Sequence, residues 1–254
     1  MNGLIAFTRK EIVEYTRNYK ALILILVLVL FGFISPISAK VLPEIIASMD
    51  MDGMTITLQP MTYLDAFAQF FKNMTQMGIV VMLLVFSGTL SQEINNGSLI
   101  LMLAKGLRRS NVILAKFLVA ATLWTMGLVL SFLCHYLYTV YLFDAFTADG
   151  LFMSILTLWV FGVFVISLLL LTSTLSRGSY GALLLTATLI ILLMFLAMLP
   201  ATEAYNPITL VSINMQILTD STLDSAVIPA TATTLVLSGL SLALAIGIFQ
   251  RKQL

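Results

Sequence analysis

Charge is what this sequence has least of. Asp, Glu, Lys and Arg make up 10% of its 254 residues, against about a quarter in a soluble domain. With 60% hydrophobic residues and a mean hydropathy of +1.04, the chain has too little polar surface to cover a globule in water, so its surface must face lipid. Neither sign of charge dominates: the net charge is +1, which leaves no overall basic field to recruit nucleic acid. A single cysteine, Cys134, excludes an internal disulfide and any Cys-cluster zinc site. A single histidine, His135, excludes a multi-histidine metal site within one chain. None of the 14 glycines is followed by lysine, so the phosphate loop that ends Gly-Lys-Ser/Thr is missing.

What is present is a set of long apolar intervals. Six stretches without charge hold 19, 20, 27, 27, 25 and 26 residues; they are bounded by Lys20, Lys40, Lys72, Glu93, Lys116, Asp144, Asp149, Arg177, Glu203, Asp224 and Arg251. About 20 residues of helix cross a hydrocarbon core about 30 Å thick. The expected fold is therefore an all-α polytopic membrane protein: six transmembrane helices, with an N-terminal amphipathic interfacial helix over residues 1–20. The spans are expected at 21–39, 73–92, 117–141, 152–175, 181–199 and 229–249, with outer loops at 40–72 and 200–228 and an exposed segment at 93–115.

Alternating the spans from a cytosolic N-terminus places 11 of the 13 Lys and Arg residues inside, with Lys40 and Lys72 outside. The excess of Lys and Arg on cytosolic loops sets the orientation, so both termini are expected in the cytosol. Reading the first span as a cleaved signal peptide, with Ser38 and Ala39 near the cut, would require a long leader containing Glu11 and Glu14, whereas such leaders are short and positive.

In the leader, Leu4, Ile5, Phe7, Ile12, Tyr15 and Tyr19 fall on one side at helical spacing, with Lys10, Glu14 and Arg17 on the other and Val13 breaking the pattern. The stripe suits the headgroup plane, basic side toward anionic lipid, or a helix packed on a partner protein. The first outer loop carries Pro43, Gly53, Pro60 and Met49, Met51 and Met54. Thr62 with Asp65 reads as the N-terminal cap of the next helix, whose Tyr63, Phe67, Phe70 and Phe71 suit an interfacial belt. Pro229 suits the first turn of the sixth helix.

The most informative stretch is 92–116, QEINNGSLILMLAKGLRRSNVILAK. Ser98 can cap a short helix on which Leu99, Met102 and Leu103 share a face. Lys105 suits its C-terminus, Gly106 a left-handed stop, and Ser110 can cap the third span. About two turns of helix are not stable alone in water, so that face needs a groove, either on its own bundle or on a cytosolic partner.

Glu93, Gly97-Ser98, the apolar run Leu99 to Leu103, Arg108-Arg109 and Lys116-Phe117, in that order, resemble the signature of permease subunits in type-2 ATP-binding-cassette (ABC-2) exporters. The resemblance extends to the leader, the six spans, the long loop before the last span and the Phe249-Gln250-Arg251-Lys252 ending, with Lys105-Gly106 where the family usually has proline. It implies two copies of a cytosolic ABC ATPase subunit and a second permease chain, either a homodimer partner or a similar chain. ATP and Mg would be bound by the ATPase, with no cofactor in this chain. It assigns coupling to Glu93, Gly97, Leu99, Leu103, Arg108 and Arg109, with Lys10, Glu14 and Arg17 as secondary contacts and the turn Ser176-Arg177-Gly178-Ser179-Tyr180 nearby. One branch of the family exports antimicrobial or amphipathic peptides.

The spans hold no Asp, Glu, Lys or Arg in their interiors, which disfavours a proton-coupled carrier and an intramembrane protease. His135 lies about 28 Å along the third span from Lys116, beside Tyr136, Tyr138 and Tyr141, where a partly wet belt residue is expected; a proton relay or substrate ligand is the other reading. An apolar bundle suits a hydrophobic or amphipathic cargo such as a peptide, toxin, antibiotic or lipid. An ATP-independent channel or carrier, a non-transporting anchor and a membrane enzyme are the competing classes.

Overall fold

The computed structural model describes residues 3–48, 61–143, 150–176, 178–220 and 226–252. Among them every regular element is helical and six helices are long and apolar enough to cross a membrane. The leader α1 (Gly3–Arg17) turns at Tyr19, whose φ of 57° is left-handed, into α2 (Lys20–Ser48). The second span is composite: α3 (Tyr63–Asn73), a π-helical turn (Met74–Gly78) and α4 (Ile79–Phe86), followed after a break by α5 (Thr89–Asn95). A short helix, α6 (Ser98–Ala104), leads to the third span, α7 (Arg109–Leu142). The fourth and fifth spans are α8 (Leu151–Leu175) and α9 (Ser179–Ala197). Three short helices, α10 (Pro200–Glu203), α11 (Thr209–Ser212) and α12 (Asn214–Asp220), precede α13 (Val227–Arg251).

These boundaries follow local chemistry. The Thr62 backbone N–H donates to Asp65 Oδ2 at 2.7 Å and starts α3 at Tyr63 as expected. The Thr75 hydroxyl bonds the Phe71 carbonyl; a side chain that takes a carbonyl from the helical ladder opens it, and the widened π turn begins there, with the Ile79 N–H returning to the Met74 carbonyl. Helix α2 continues through Pro36 and Pro43, so the first part of the expected outer loop is helical. Met49, Met51, Gly53, Met54 and Pro60 of that loop, and Arg177 of the short turn, lie outside the described residues.

The layers pack around α8, the most buried span, which meets α13, α9 and α7, while α2 lies along α7. Helix α9 sits at the edge with most of its apolar surface outward. The α2–α7 crossing rests on small residues: a Cβ on Gly32 would collide with the Ser131 carbonyl oxygen, and Ser131 Oγ donates to the Leu28 carbonyl at 2.5 Å. Gly32→Ala therefore has to push the two helices apart, and we expect a loss of about 1–3 kcal/mol, measured as a fall in thermal midpoint in detergent.

That crossing corrects the placement of His135. The ring is fully buried, stacked on Phe70 with centroids 4.5 Å apart and edge-on to Phe67 at 4.7 Å. It meets the backbone of Gly32, whose carbonyl has no helical donor because Pro36 lacks an N–H. The residue that looked like a wet belt side chain is an internal strut, because Phe67 and Phe70 of α3 fold over it. In the second loop, α12 turns back onto the bundle: Ile213 and Ile217 are buried, and Asn214 is held between Ser154 and Thr157 of α8.

Candidate coupling site at one end of the bundle

At the end of the bundle that carries the leader, α1, α5 and α7 bring five ionisable groups together. Along α1 the buried stripe is Phe7, Glu11 and Tyr15, one residue per turn. Glu11 and Lys116 are almost wholly buried, and Lys116 Nζ lies 3.0 Å from both Glu11 carboxylate oxygens. The same ammonium lies 2.8 Å from Glu93 Oε2, in direct ionic contact. Lys10 closes the ring, bonding Glu93 Oε1 and lying 3.0 Å from Glu11 Oε1 and 2.6 Å from Glu14 Oε2. The Phe7 ring sits against both ammoniums, 5.1 Å from Lys10 and 5.7 Å from Lys116, and the negative face of an aromatic ring favours both.

A buried charge survives only when it is paired, and here two lysines face two buried carboxylates, with Glu14 at the rim. Burial alone would lower the Lys10 ammonium, but hydrogen bonds to Glu14 and Glu93 and the charge of Glu11 hold it well above its ordinary value. Burial likewise pushes the Tyr15 phenol up. Glu11, Glu14 and Glu93 converge closely enough for a cation, and the Lys10 ammonium supplies one. The network ties the leader to the end of the second span and the start of the third.

This arrangement divides the expected apolar stripe of the leader. Ile5, Ile12 and Tyr19 are exposed, as a side facing headgroups or a partner would be, whereas Phe7 and Tyr15 pack onto the bundle and Lys10 is turned half inward. Ion pairing to Glu93 and Lys116 sets the rotation of α1, and an apolar-stripe reading has no term for it. Glu11 and Lys116 were missed as site residues. Their signal was a carboxylate four residues from each of two aromatic residues, and a lysine at the very edge of the third span with no acid nearby in sequence.

Around this network α6 forms a small projection. Gly97, at φ 69°, makes the left-handed step before it, and Gly106, at φ 93°, makes the stop. Ser98 is the first helical residue rather than the cap, and its Oγ donates back to the Glu93 carbonyl at 3.3 Å. Arg108, not Ser110, occupies the cap position of α7. Leu99 is fully buried, and with Met102 and Leu103 it packs against Phe7, Leu90, Val112, Ile113 and Phe249. The face expected to seek a groove thus finds one on its own bundle. The outward face carries Ile100 and Leu101, the latter 67% exposed, bordered by exposed Lys105 and Arg108. Between α1 and α6 runs an open groove of about 470 Å³ lined by Phe7, Lys10, Met102 and Lys105.

The remaining expected residues separate. The Arg109 guanidinium donates through Nη1 to the carbonyls of Phe249 at 2.9 Å and Lys252 at 2.6 Å, capping α13, while Lys252 Nζ donates to the Thr174 carbonyl at 2.9 Å. Arg17 is exposed at the elbow before α2. The site is thus a buried ionic clamp with a small apolar, basic-rimmed knob beside it, geometry suited to passing a push from a docked body into three helices.

Comparison with known proteins gives this geometry a family. The chain is 24% identical over 186 residues to an uncharacterized transmembrane protein, YxlG, of Bacillus subtilis (strain 168), covering 72% of this chain and 71% of that one. A family model described as ABC-2 family transporter protein matches residues 5–253, nearly the whole sequence. The chain belongs to the ABC-2 transporter family and is a multi-pass membrane permease whose family works with an ABC ATPase subunit.

Proposed function

We propose that the chain is the membrane-spanning half of an ATP-driven exporter, working as a homodimer with two copies of a cytosolic ABC ATPase and moving a hydrophobic or amphipathic molecule out of the cytosol. The observation that carries this reading is the knob on α6. Leu101 and Ile100 stand outward between Lys105 and Arg108, while directly behind them Glu93 joins α5 to α1 and α7 through Lys10 and Lys116. In this arrangement the ATPase grips the outward face, and the buried ionic clamp carries its closure to the leader and the second and third spans. Glu93, Gly97, Leu99 and Leu103 then act from behind, holding the knob in shape, and Ile100, Leu101, Lys105 and Arg108 meet the partner. Both termini and α6 lie in the cytosol in this reading, as the distribution of Lys and Arg supports.

An amphipathic cargo is supported by a cavity of about 610 Å³, within the range of small-molecule sites. It lies between α3–α4, α9 and α11–α12, beside the π turn. Phe71, Ile79, Met194 and Met215 give it apolar walls, while Lys72 and, from the π turn, Gln76 add polar groups; such turns recur at functional sites. Peptides, apolar antibiotics, toxins and lipid-linked precursors share that chemistry.

Reconstitution in vesicles with and without the ATPase tests the reading: transport that requires both the ATPase and ATP is expected, and flux through the permease alone would assign a channel. A thiol introduced as Ala104→Cys, in a chain whose own Cys134 is replaced by serine, should react with an impermeant maleimide only from the cytosolic side. Labelling from outside cells would reverse the topology and remove the coupling role.

A further inference from the structure

The corner between the leader, the start of α2 and α7 holds a slot of about 320 Å³ that takes no part in the coupling site. Its walls include Tyr15, Ala21, Ile25, Val119, Thr122 and Met126. Two of its three threonines present little polarity, because Thr16 Oγ1 donates to the Ile12 carbonyl at 3.0 Å and Thr122 Oγ1 to the Leu118 carbonyl at 2.8 Å. The lining on α7 runs from Leu118 to Met126, about 12 Å along the helix axis. The slot is therefore narrow, elongated parallel to the spans and almost wholly apolar. It descends into the hydrocarbon from the plane of the leader.

Cations flank its upper end. Arg17 and Lys20 bracket the elbow, adjoining Thr16 and Ala21 of the slot wall, and Arg9 adjoins Thr8. Among the described residues none of these three makes an ion pair, in contrast to Lys10 and Lys116 a turn away. An apolar slot at this depth in a bilayer has lipid chains as its neighbours, and cations at the headgroup plane attract anionic lipid. A second copy of this chain meeting the same corner about a two-fold axis would set these cations against their own images. We infer that the slot holds one acyl chain of an anionic phospholipid from the leaflet that meets the leader, with its headgroup at Arg17 and Lys20. The lipid packs beneath α1 and steadies the elbow between α1 and α2.

Native mass spectrometry of the full chain, extracted in mild detergent and exchanged with phosphatidylglycerol or phosphatidylcholine, reads the site without any ATPase, so the result is independent of the transport reading. The wild type is expected to retain a phosphatidylglycerol and to release phosphatidylcholine. Thr122→Trp, which fills the slot from an exposed position, is expected to abolish retention of phosphatidylglycerol. The double variant Arg17→Gln, Lys20→Gln keeps the slot and should lose the anionic preference by about fivefold per cation removed. Equal retention of the two lipids by the wild type, or undiminished retention by Thr122→Trp, would overturn the inference. If Thr122→Trp does not purify as a single species, Thr16→Trp fills the same slot from the leader, and undiminished retention of lipid by that variant would overturn the inference equally.

Discussion

Leu101→Asp is expected to leave the permease folded in the membrane and to strip it of its ATPase. Leu101 is the most exposed large apolar side chain on α6, so in the free chain the change exchanges a solvent-facing leucine for a solvent-facing carboxylate at little cost. In the complex the same position would lie in the partner's groove, where an unpaired charge is strongly disfavoured. A central interface residue of this kind costs about 2–4 kcal/mol when lost, or about 30- to 1,000-fold in affinity. Co-purification of a tagged ATPase with the variant should fall accordingly, while detergent gel filtration of the permease is unchanged. Leu103→Asp provides the contrast. Leu103 packs with Leu99 and Phe249 inside the bundle, so its replacement should lower the yield of folded chain as well as association. If Leu101→Asp binds the ATPase as well as the wild type does, α6 is not the docking element.

The second large effect is expected at Lys116. Lys116→Met removes the ammonium that faces Glu11 and Glu93, both buried. The two carboxylates are then left with Lys10 alone, itself shared with Glu14. Breaking a buried ion pair from one side costs about 3–5 kcal/mol, whereas replacing both partners with apolar groups is often close to neutral. The single variant should therefore show a large drop in thermal midpoint and a leader that becomes sensitive to protease. Adding Glu11→Met should recover most of the loss, since Lys10 and Glu93 remain paired. No recovery in the double variant would mean that packing around Lys116, not charge balance, holds the leader. The rescued chain separates stability from coupling: folded but without its α1–α7 link, it should show weaker ATP-driven transport for the same bound ATPase.

Much of this molecule was legible in its sequence. The scarcity of charge and the six long intervals between charges determine an all-helical membrane bundle, because a backbone in hydrocarbon has to satisfy its own hydrogen bonds. Local rules also sufficed for the Thr62–Asp65 start of α3 and the Gly106 stop of α6, since each depends on residues within one turn. The ABC-2 family could be read from the order of short motifs along the chain.

Tertiary structure decided everything that depends on rotation and on distant partners. Whether Glu11 faces inward cannot be read from the leader alone, because its energy there depends on Lys116, 105 positions away. The faces of α6 were assigned by amphipathicity, which marks the side that wants burial but does not say what buries it; the bundle itself took Leu99 and Leu103 and left Leu101 outside. His135 looked peripheral by helical rise, and only the fold of α3 across α7 encloses it. Sequence alone thus determined which segments enter the membrane and in what order, because that is a sum over local transfer energies. Which charges meet, and which small face stays exposed, followed from packing between segments that no local term relates.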